Sequence, residues 1–191
     1  MKAAVFCGPR DLRVEEVPVP EIGSQEILVK VEACGICGSD LHLYRTGGFE
    51  DMGLPMGSGR VMGHEFGGEV VAVGDSVVGI APGDRVAALA MGGFAEMVRI
   101  PRAVLGRNVF QLPGEVSYEE AATLEPLAAC LHAITVADPS PGDTVVVLGA
   151  GIIGLGCLQV LRASHDCRLI VADLSEKRLG LARQLGADEV I

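Results

Sequence analysis

Over the first part of the chain, apolar and polar positions alternate in short runs that stop at Gly, Pro, Asp or Ser. The runs are KAAVF (2–6), LRVEEVPVP (12–20), EILVKVEAC (26–34), GGEVVAVG (67–74) and DRVAALAM (84–91). β-Branched residues on a period of two predict half-buried strands, and short strands at such spacing predict a compact antiparallel barrel or sandwich. Near residue 117 the period lengthens. SYEEAATLEPLAACLHAITVA (117–137) opens with Ser117 and, three residues on, Glu120, the spacing of a capping box. Ala and Leu then recur at helical intervals, and Pro126 predicts an interruption or kink. The turn cluster DPSPGD (138–143) is the expected boundary between a first domain, 1–137 with its linking helix, and a second, 138–191.

Beyond that turn the pattern becomes α/β. TVVVLG (144–149) predicts a buried parallel strand, GIIGLGCLQVLRAS (151–164) a helix, CRLIVAD (167–173) a second strand, and SEKRLGLARQLG (175–186) a second helix; ADEVI (187–191) begins a third strand. The expected fold class is α/β with a β-rich domain in front. The uncharged run from Thr144 to Leu161 is long enough for a membrane span. Glycines at 149, 151, 154 and 156 divide it, and it lacks basic flanks, so it predicts strand, turn and helix instead.

Composition narrows the function. With 49% apolar residues the chain can bury a core, and a net charge of −10 without a basic patch argues against nucleic acid as a partner. The six cysteines are irregularly spaced apart from Cys34 and Cys37, and the opening MKAAVFCGPR does not read as a signal peptide, so none is expected. Reduced thiols in a cytoplasmic protein are expected.

Gly149-Ala150-Gly151-Ile152-Ile153-Gly154 fits G-x-G-x-x-G, a weak pattern in isolation. Here an apolar strand precedes it, a helix follows, and Asp173 ends the next strand. Gly149 allows the tight turn, Gly151 admits a pyrophosphate, and Gly154 lets helix pack on strand, with the helix N-terminus facing the phosphates. Asp173 would accept hydrogen bonds from a ribose diol and repel a 2′-phosphate, which favours NAD over NADP. Arg178 is either an adenine contact or plain surface.

CGICGSD (34–40) carries the Cys34/Cys37 pair, which alone reads as a redox disulfide, half a structural zinc site, or one ligand of a catalytic metal. GHEFGGEV (63–70) adds His64 and Glu65. Neighbouring side chains on a strand point to opposite faces, so both reach one metal only if the backbone twists, which Gly63, Gly67 and Gly68 would permit. Cys37, His64 and a carboxylate would supply the three or so protein ligands of a catalytic zinc with an open position.

CGICGSDLH, GHEFGGEVVAVG, GDRV, GGFAEMV, EPLAACLHA and VLGAGIIGLG occur in the order found in the zinc-dependent medium-chain dehydrogenases/reductases of the alcohol dehydrogenase superfamily. The chain resembles their polyol, butanediol and threonine dehydrogenase branch from end to end. The resemblance implies a GroES-like catalytic domain followed by an incomplete Rossmann domain, a doubly wound parallel sheet. It implies metal ligands Cys37, His64 and Glu65, with Glu125 binding directly or through water. It further implies Asp40 as the carboxylate that orients the ligand histidine, and Ser39 and His42 as a proton relay. Cys34 is then a small buried residue, and Gly35 and Gly38 serve the turn. The implied cofactors are one catalytic Zn2+ and NAD, and the implied reaction is hydride transfer from a small-molecule alcohol. A homo-oligomer is expected for the full-length form, with no membrane or nucleic-acid partner.

The chain also departs from the family pattern. Only AALAM separates Val86 from Gly92, where many relatives carry a four-cysteine lobe, so a second, structural zinc is not expected. Leu43 stands where sorbitol dehydrogenases place a substrate-contacting tyrosine, with Tyr44 one place late, which puts sorbitol itself in doubt. Barely one half of a dinucleotide fold is present, and the family's return segment to the catalytic domain is not seen, so the sequence reads as a fragment or truncated product. The rival readings are a zinc-free quinone or enoyl reductase, a catalytically inactive truncated paralogue acting as a binding or subunit-interaction module, and a cysteine-based redox protein.

Overall fold

The computed structural model describes residues 1–49, 54–55 and 57–191. They form two compact units, Met1–Glu125 and Pro126–Ile191.

In the first unit β1 (Lys2–Gly8) and β2 (Asp11–Glu16) form a hairpin, and β3 (Ile27–Gly35) leads into helix α1 (Gly38–Thr46). The short strands β4 (Gly48–Phe49), β5 (Leu54–Pro55) and β6 (Arg60–Val61) precede β7 (Glu65–Val73), β8 (Arg85–Ala88), β9 (Met97–Ile100) and β10 (Val109–Gln111). The main sheet is antiparallel, in the order β10-β8-β7-β3-β9, beside a β2-β1-β6 sheet. Ile27, Val29, Phe66, Val70, Val86 and Ile100 form its core. Ile27 and Val29 alternate along β3, so both side chains leave the same face. β2 stops at Glu16, short of the predicted run, because Pro18 and Pro20 have no N–H to give a ladder.

Helix α2 (Tyr118–Ala121) starts at the predicted capping box. The Glu120 N–H donates to Ser117 Oγ at 3.1 Å, and the Ser117 N–H donates to Glu120 Oε2 at 2.8 Å. Helix α3 (Leu124–Ala137) follows after a break. Pro126 does not cause that break. It lies in the first turn of α3, where a missing N–H costs no intrahelical bond.

The second unit continues with β11 (Thr144–Leu148), α4 (Ile152–Ser164), β12 (Arg168–Ala172), α5 (Glu176–Gln184) and β13 (Glu189–Val190). The strands pair in parallel in the order β11-β12-β13, the βαβαβ pattern of a dinucleotide-binding half. Leu158, Leu161, Leu169, Val171 and Ala182 make its core, and Ile134 of α3 joins them. For that reason the units divide after Glu125, whereas the turn at 138–143 is the boundary expected from sequence. β11 also differs from expectation. Val145 and Val147 pack on the core, but Val146 is 52% and Leu148 83% exposed, so one face of this strand is open. Among the described residues no helix is long and apolar enough to cross a membrane.

Candidate metal centre and dinucleotide loop

The β3–β7 ladder ends at the pair Gly35–Glu65. Cys37 comes two residues after the end of β3, and His64 one residue before the start of β7, so antiparallel pairing delivers them to one place. The ligand atoms of Cys37, His64 and Glu65 all lie within 4.8 Å of one another. Of the glycines expected to twist this segment, only Gly63 has a left-handed φ, +86°. Gly67 and Gly68 serve close packing instead: a Cβ on Gly67 would lie 2.7 Å from Ala121 Cβ, and one on Gly68 would overlap the Lys30 carbonyl. The Gly63 turn is clasped from outside, since its carbonyl accepts from the N–H groups of Gly92 and Gly93, both at 2.9 Å. At Gly35 a Cβ would lie 2.5 Å from Glu65 Oε2, so glycine there leaves room for the carboxylate.

Asp40, in the first turn of α1, is 3% exposed. Its Oδ2 accepts from the Cys37 N–H at 2.9 Å, and its Oδ1 faces His64 Nδ1 at 3.8 Å. Both Asp40 Oδ1 and His64 Nδ1 are buried without a hydrogen-bond partner among the described residues. Unsatisfied buried polar atoms cost about 1–3 kcal/mol each. A buried carboxylate, a thiol and an imidazole thus come together, with the buried Asp40 carboxylate behind the imidazole, an arrangement whose negative charge a divalent cation would compensate. Mixed sulfur, nitrogen and oxygen donors with a position left open suit Zn2+.

The other site residues expected from sequence lie on β3, α1 and α3. Ser39 is half-buried and His42 exposed, three residues apart on α1 and so on one side of the helix. Glu125, half-buried in the first turn of α3, stands outside the three-residue cluster. Cys34 also stands outside it, with its thiol 3.5 Å from the Gly35 carbonyl oxygen. Burial, aided by the Asp40 charge, pushes that thiol up from 9.0 to about 11. All six cysteines are free thiols. Leu43 packs in a core with Phe6 and Met62.

In the second unit Gly149 takes φ +98° at the end of β11, and Gly151 is the N-cap of α4. A Cβ on Gly154 would overlap the Gly149 carbonyl oxygen, whereas one on Gly151 would meet no protein atom within 4 Å. The first-turn N–H groups, including that of the exposed Ile153, have no intrahelical acceptor and point out of the helix start. Asp173 accepts from the N–H groups of Ala150 at 2.7 Å and Ser175 at 2.8 Å. These two bonds, with Arg178 Nη1 at 3.7 Å, hold its carboxyl below the usual range. Gly149, Asp173, Leu174, Arg178 and Ile191 line a hollow of about 600 Å³.

Sequence reasoning missed two features. The Gly92–Gly93 clasp lies inside the quoted GGFAEMV motif, whose paired glycines were its signal. Asp173 holds the loop as well as facing the hollow, and nothing in the sequence pairs it with Ala150.

Residues 23–114 match the family described as "Alcohol dehydrogenase GroES-like domain". Sorbitol dehydrogenase of Bombyx mori is 36% identical over 217 aligned positions, covering 99% of this chain and 61% of that relative. The alignment is longer than the 191-residue chain, so the relative has residues that this chain lacks. The crystal structure of 2R,3R-butanediol dehydrogenase from Bacillus subtilis superposes with a TM-score of 0.87 at 32% identity, covering 100% of this chain and 62% of that one. A zinc-binding dehydrogenase of Sinorhizobium meliloti, bound to NADP, gives 0.88 at 32% identity, covering 100% and 61%. Over its whole length the chain is similar to medium-chain dehydrogenases/reductases of the alcohol dehydrogenase superfamily, polyol dehydrogenases among them, and its residues 23–114 carry the GroES-like domain of that family. It spans about three fifths of the length of the relatives it matches.

Proposed function

We propose that the chain forms the metal-binding and nucleotide-binding portion of a zinc- and NAD-dependent dehydrogenase that oxidises a secondary alcohol or polyol. The observation that carries this reading is the Cys37–His64–Glu65 cluster, with its donors within 4.8 Å, in the same chain as a G-x-G-x-x-G loop. Zinc, when bound, supplies a Lewis acid that lowers the pKa of an alcohol oxygen. Cys37, His64 and Glu65 would hold it, and Asp40 would fix the His64 ring through Nδ1. Glu125, being outside the cluster, would reach the site through a water. Ser39 Oγ would take the alcohol proton and pass it to the imidazole of His42, which is exposed and can release it to solvent.

On the nucleotide side, the first-turn N–H groups of α4 would bind the pyrophosphate. Asp173 uses one lone pair on each carboxylate oxygen for Ala150 and Ser175, which leaves acceptor capacity for a ribose diol. Its negative charge favours NAD, although the Sinorhizobium meliloti neighbour holds NADP. The burial of Leu43 supports a substrate other than sorbitol, because no tyrosine follows His42 directly.

The test is elemental analysis and NAD titration of the purified chain, followed by NADH absorbance with butane-2,3-diol, threonine and sorbitol. One zinc per chain and saturable NAD binding are expected. A chain that binds neither would overturn the reading in favour of a non-catalytic paralogue.

A further inference from the structure

At the far end of β3 from the metal cluster, the first unit carries a polar hollow of about 560 Å³. Gln25, just before β3, lines it; Gly35, at the metal, ends the strand. Eight strand steps of roughly 3.3 Å separate the ends of β3, so the two places are on the order of 26 Å apart. The other lining residues include Ser76, Arg102, Arg107 and Asn108.

The charge here runs against that of the whole chain. The protein has 25 Asp and Glu against 15 Lys and Arg, yet no carboxylate lines this hollow and two guanidinium groups do. Among the described residues neither Arg102 nor Arg107 has a side-chain hydrogen bond or an ion pair, as is also true of Arg10, Arg45, Arg60 and Arg183, so both guanidinium groups are free to take an anion; Arg13, Arg99, Arg162, Arg168 and Arg178 face carboxylates. Two acids adjoin lining residues along the chain: Glu26, engaged by the Gly23 N–H at 2.8 Å and by Arg99 at 3.7 Å, and Asp75, exposed beside Ser76 and outside the lining.

The wall is built rather than loose. Arg102 holds a left-handed φ of +46°, a conformation that is strained for a non-glycine residue. Asn108 secures the segment: its Oδ1 accepts from the Val104 N–H at 2.8 Å, and its Nδ2 donates to the Pro101 carbonyl at 3.2 Å and the Arg102 carbonyl at 3.4 Å. The Ala103 N–H donates to the Gln25 carbonyl at 2.9 Å, and the Ser76 N–H to the Ser24 carbonyl at 2.8 Å, joining the three segments of the wall. The side chains of Gln25 and Ser76 remain available as donors beside the two arginines.

We infer that this hollow binds the phosphate group of a small phosphorylated molecule. Two planar guanidinium forks match a tetrahedral dianion, and an amide and a hydroxyl complete its hydrogen bonding. The volume exceeds that of a bare phosphate, which leaves room for a polar organic part. This site is independent of the proposed dehydrogenase reading and does not use its residues.

The experiment is a titration of the isotope-labelled 191-residue chain with inorganic phosphate and with glycerol 3-phosphate, read by amide NMR at ionic strength matched with chloride. Residue-resolved signals are needed because the helix start at 151–154 also suits phosphate. Saturable shifts at Ser76 and across 102–108 are expected, with the tighter curve for glycerol 3-phosphate. Arg102→Gly, which also relieves the backbone, combined with Arg107→Gln should weaken binding at least about tenfold, while Arg183→Gln on α5 should leave it unchanged. Shifts confined to 149–154, or shifts that chloride alone reproduces, would overturn the assignment. So would equal weakening by Arg183→Gln.

Discussion

Asp40 Oδ1 and His64 Nδ1 face each other at 3.8 Å, both buried and both without another hydrogen-bond partner among the described residues. The same carboxylate takes the Cys37 N–H through its other oxygen. One buried acid therefore touches the backbone of one candidate ligand and the ring of another. Asp40→Asn keeps an acceptor for the Cys37 N–H but removes the charge opposite His64. Zinc affinity should fall roughly 10- to 100-fold with the thermal midpoint little changed. Competition with a chelator measures it, and an unaltered affinity would remove Asp40 from the site.

The two cysteines of CGIC should behave differently. Cys37→Ala should abolish zinc binding, whereas Cys34→Ala should leave most of it, because the Cys34 thiol lies outside the cluster. Cys34 also makes a prediction in alkali. Its folded value is raised from 9.0 to about 11, so the folded chain keeps this proton where the unfolded chain loses it. That contribution is complete below pH 9.0 and is lost as the pH rises through about 11. Denaturant unfolding across this window should decline less steeply in Cys34→Ala than in the parent chain. Parallel declines would contradict the assigned burial.

Gly154→Ala tests the loop. The new Cβ would overlap the Gly149 carbonyl oxygen, so helix α4 must move away from the end of β11. A loss of about 1–3 kcal/mol in the second unit is expected, together with loss of NAD binding. Calorimetry reads both, and retained NAD affinity would show that the loop does not carry the nucleotide.

Asp173 joins structure and specificity. Asp173→Ser should narrow the preference for NAD over NADP, as read by parallel titrations. Its carboxyl is held below the ordinary 3.8, chiefly by the Ala150 and Ser175 N–H groups. The stability it confers is therefore present above pH 3.8 and is lost as the pH falls through its lower folded value. The parent chain should lose stability there more steeply than Asp173→Ser. An unchanged nucleotide preference would show that Asp173 acts on the loop alone.

Much of this was legible where a local signal coincided with the tertiary outcome. Ser117 and Glu120 announced α2 because a capping box is closed by residues three apart. Gly149, Gly151, Gly154 and Asp173 announced the loop because its chemistry lies in one short segment and the next strand end. Cys37, His64 and Glu65 could be named, but their meeting depends on the β3–β7 register, which no local pattern states. Helix α1 gave no apolar periodicity, because Asp40 and Leu43 are its only buried residues. The exposure of β11 could not be read either, since TVVVL has the same composition whether one face or both are covered.

That open face carries the last prediction. Val146 and Leu148 leave β11 on the side away from Val145 and Val147, which pack on the core with α4 and α5 residues. Parallel sheets are ordinarily covered on both faces, and apolar side chains left in water favour association. β11 also has only β12 beside it, so its outer edge offers unpaired N–H and C=O groups. The 191-residue chain should therefore self-associate with rising concentration and bind a dye specific for apolar surface. Val146→Lys with Leu148→Lys should suppress both while leaving the core face intact, because only exposed positions change. Size-exclusion chromatography with light scattering, over a range of loading concentrations, reads the first effect and dye fluorescence the second. A parent chain that stays monomeric and dye-free throughout would show that this face is protected in solution.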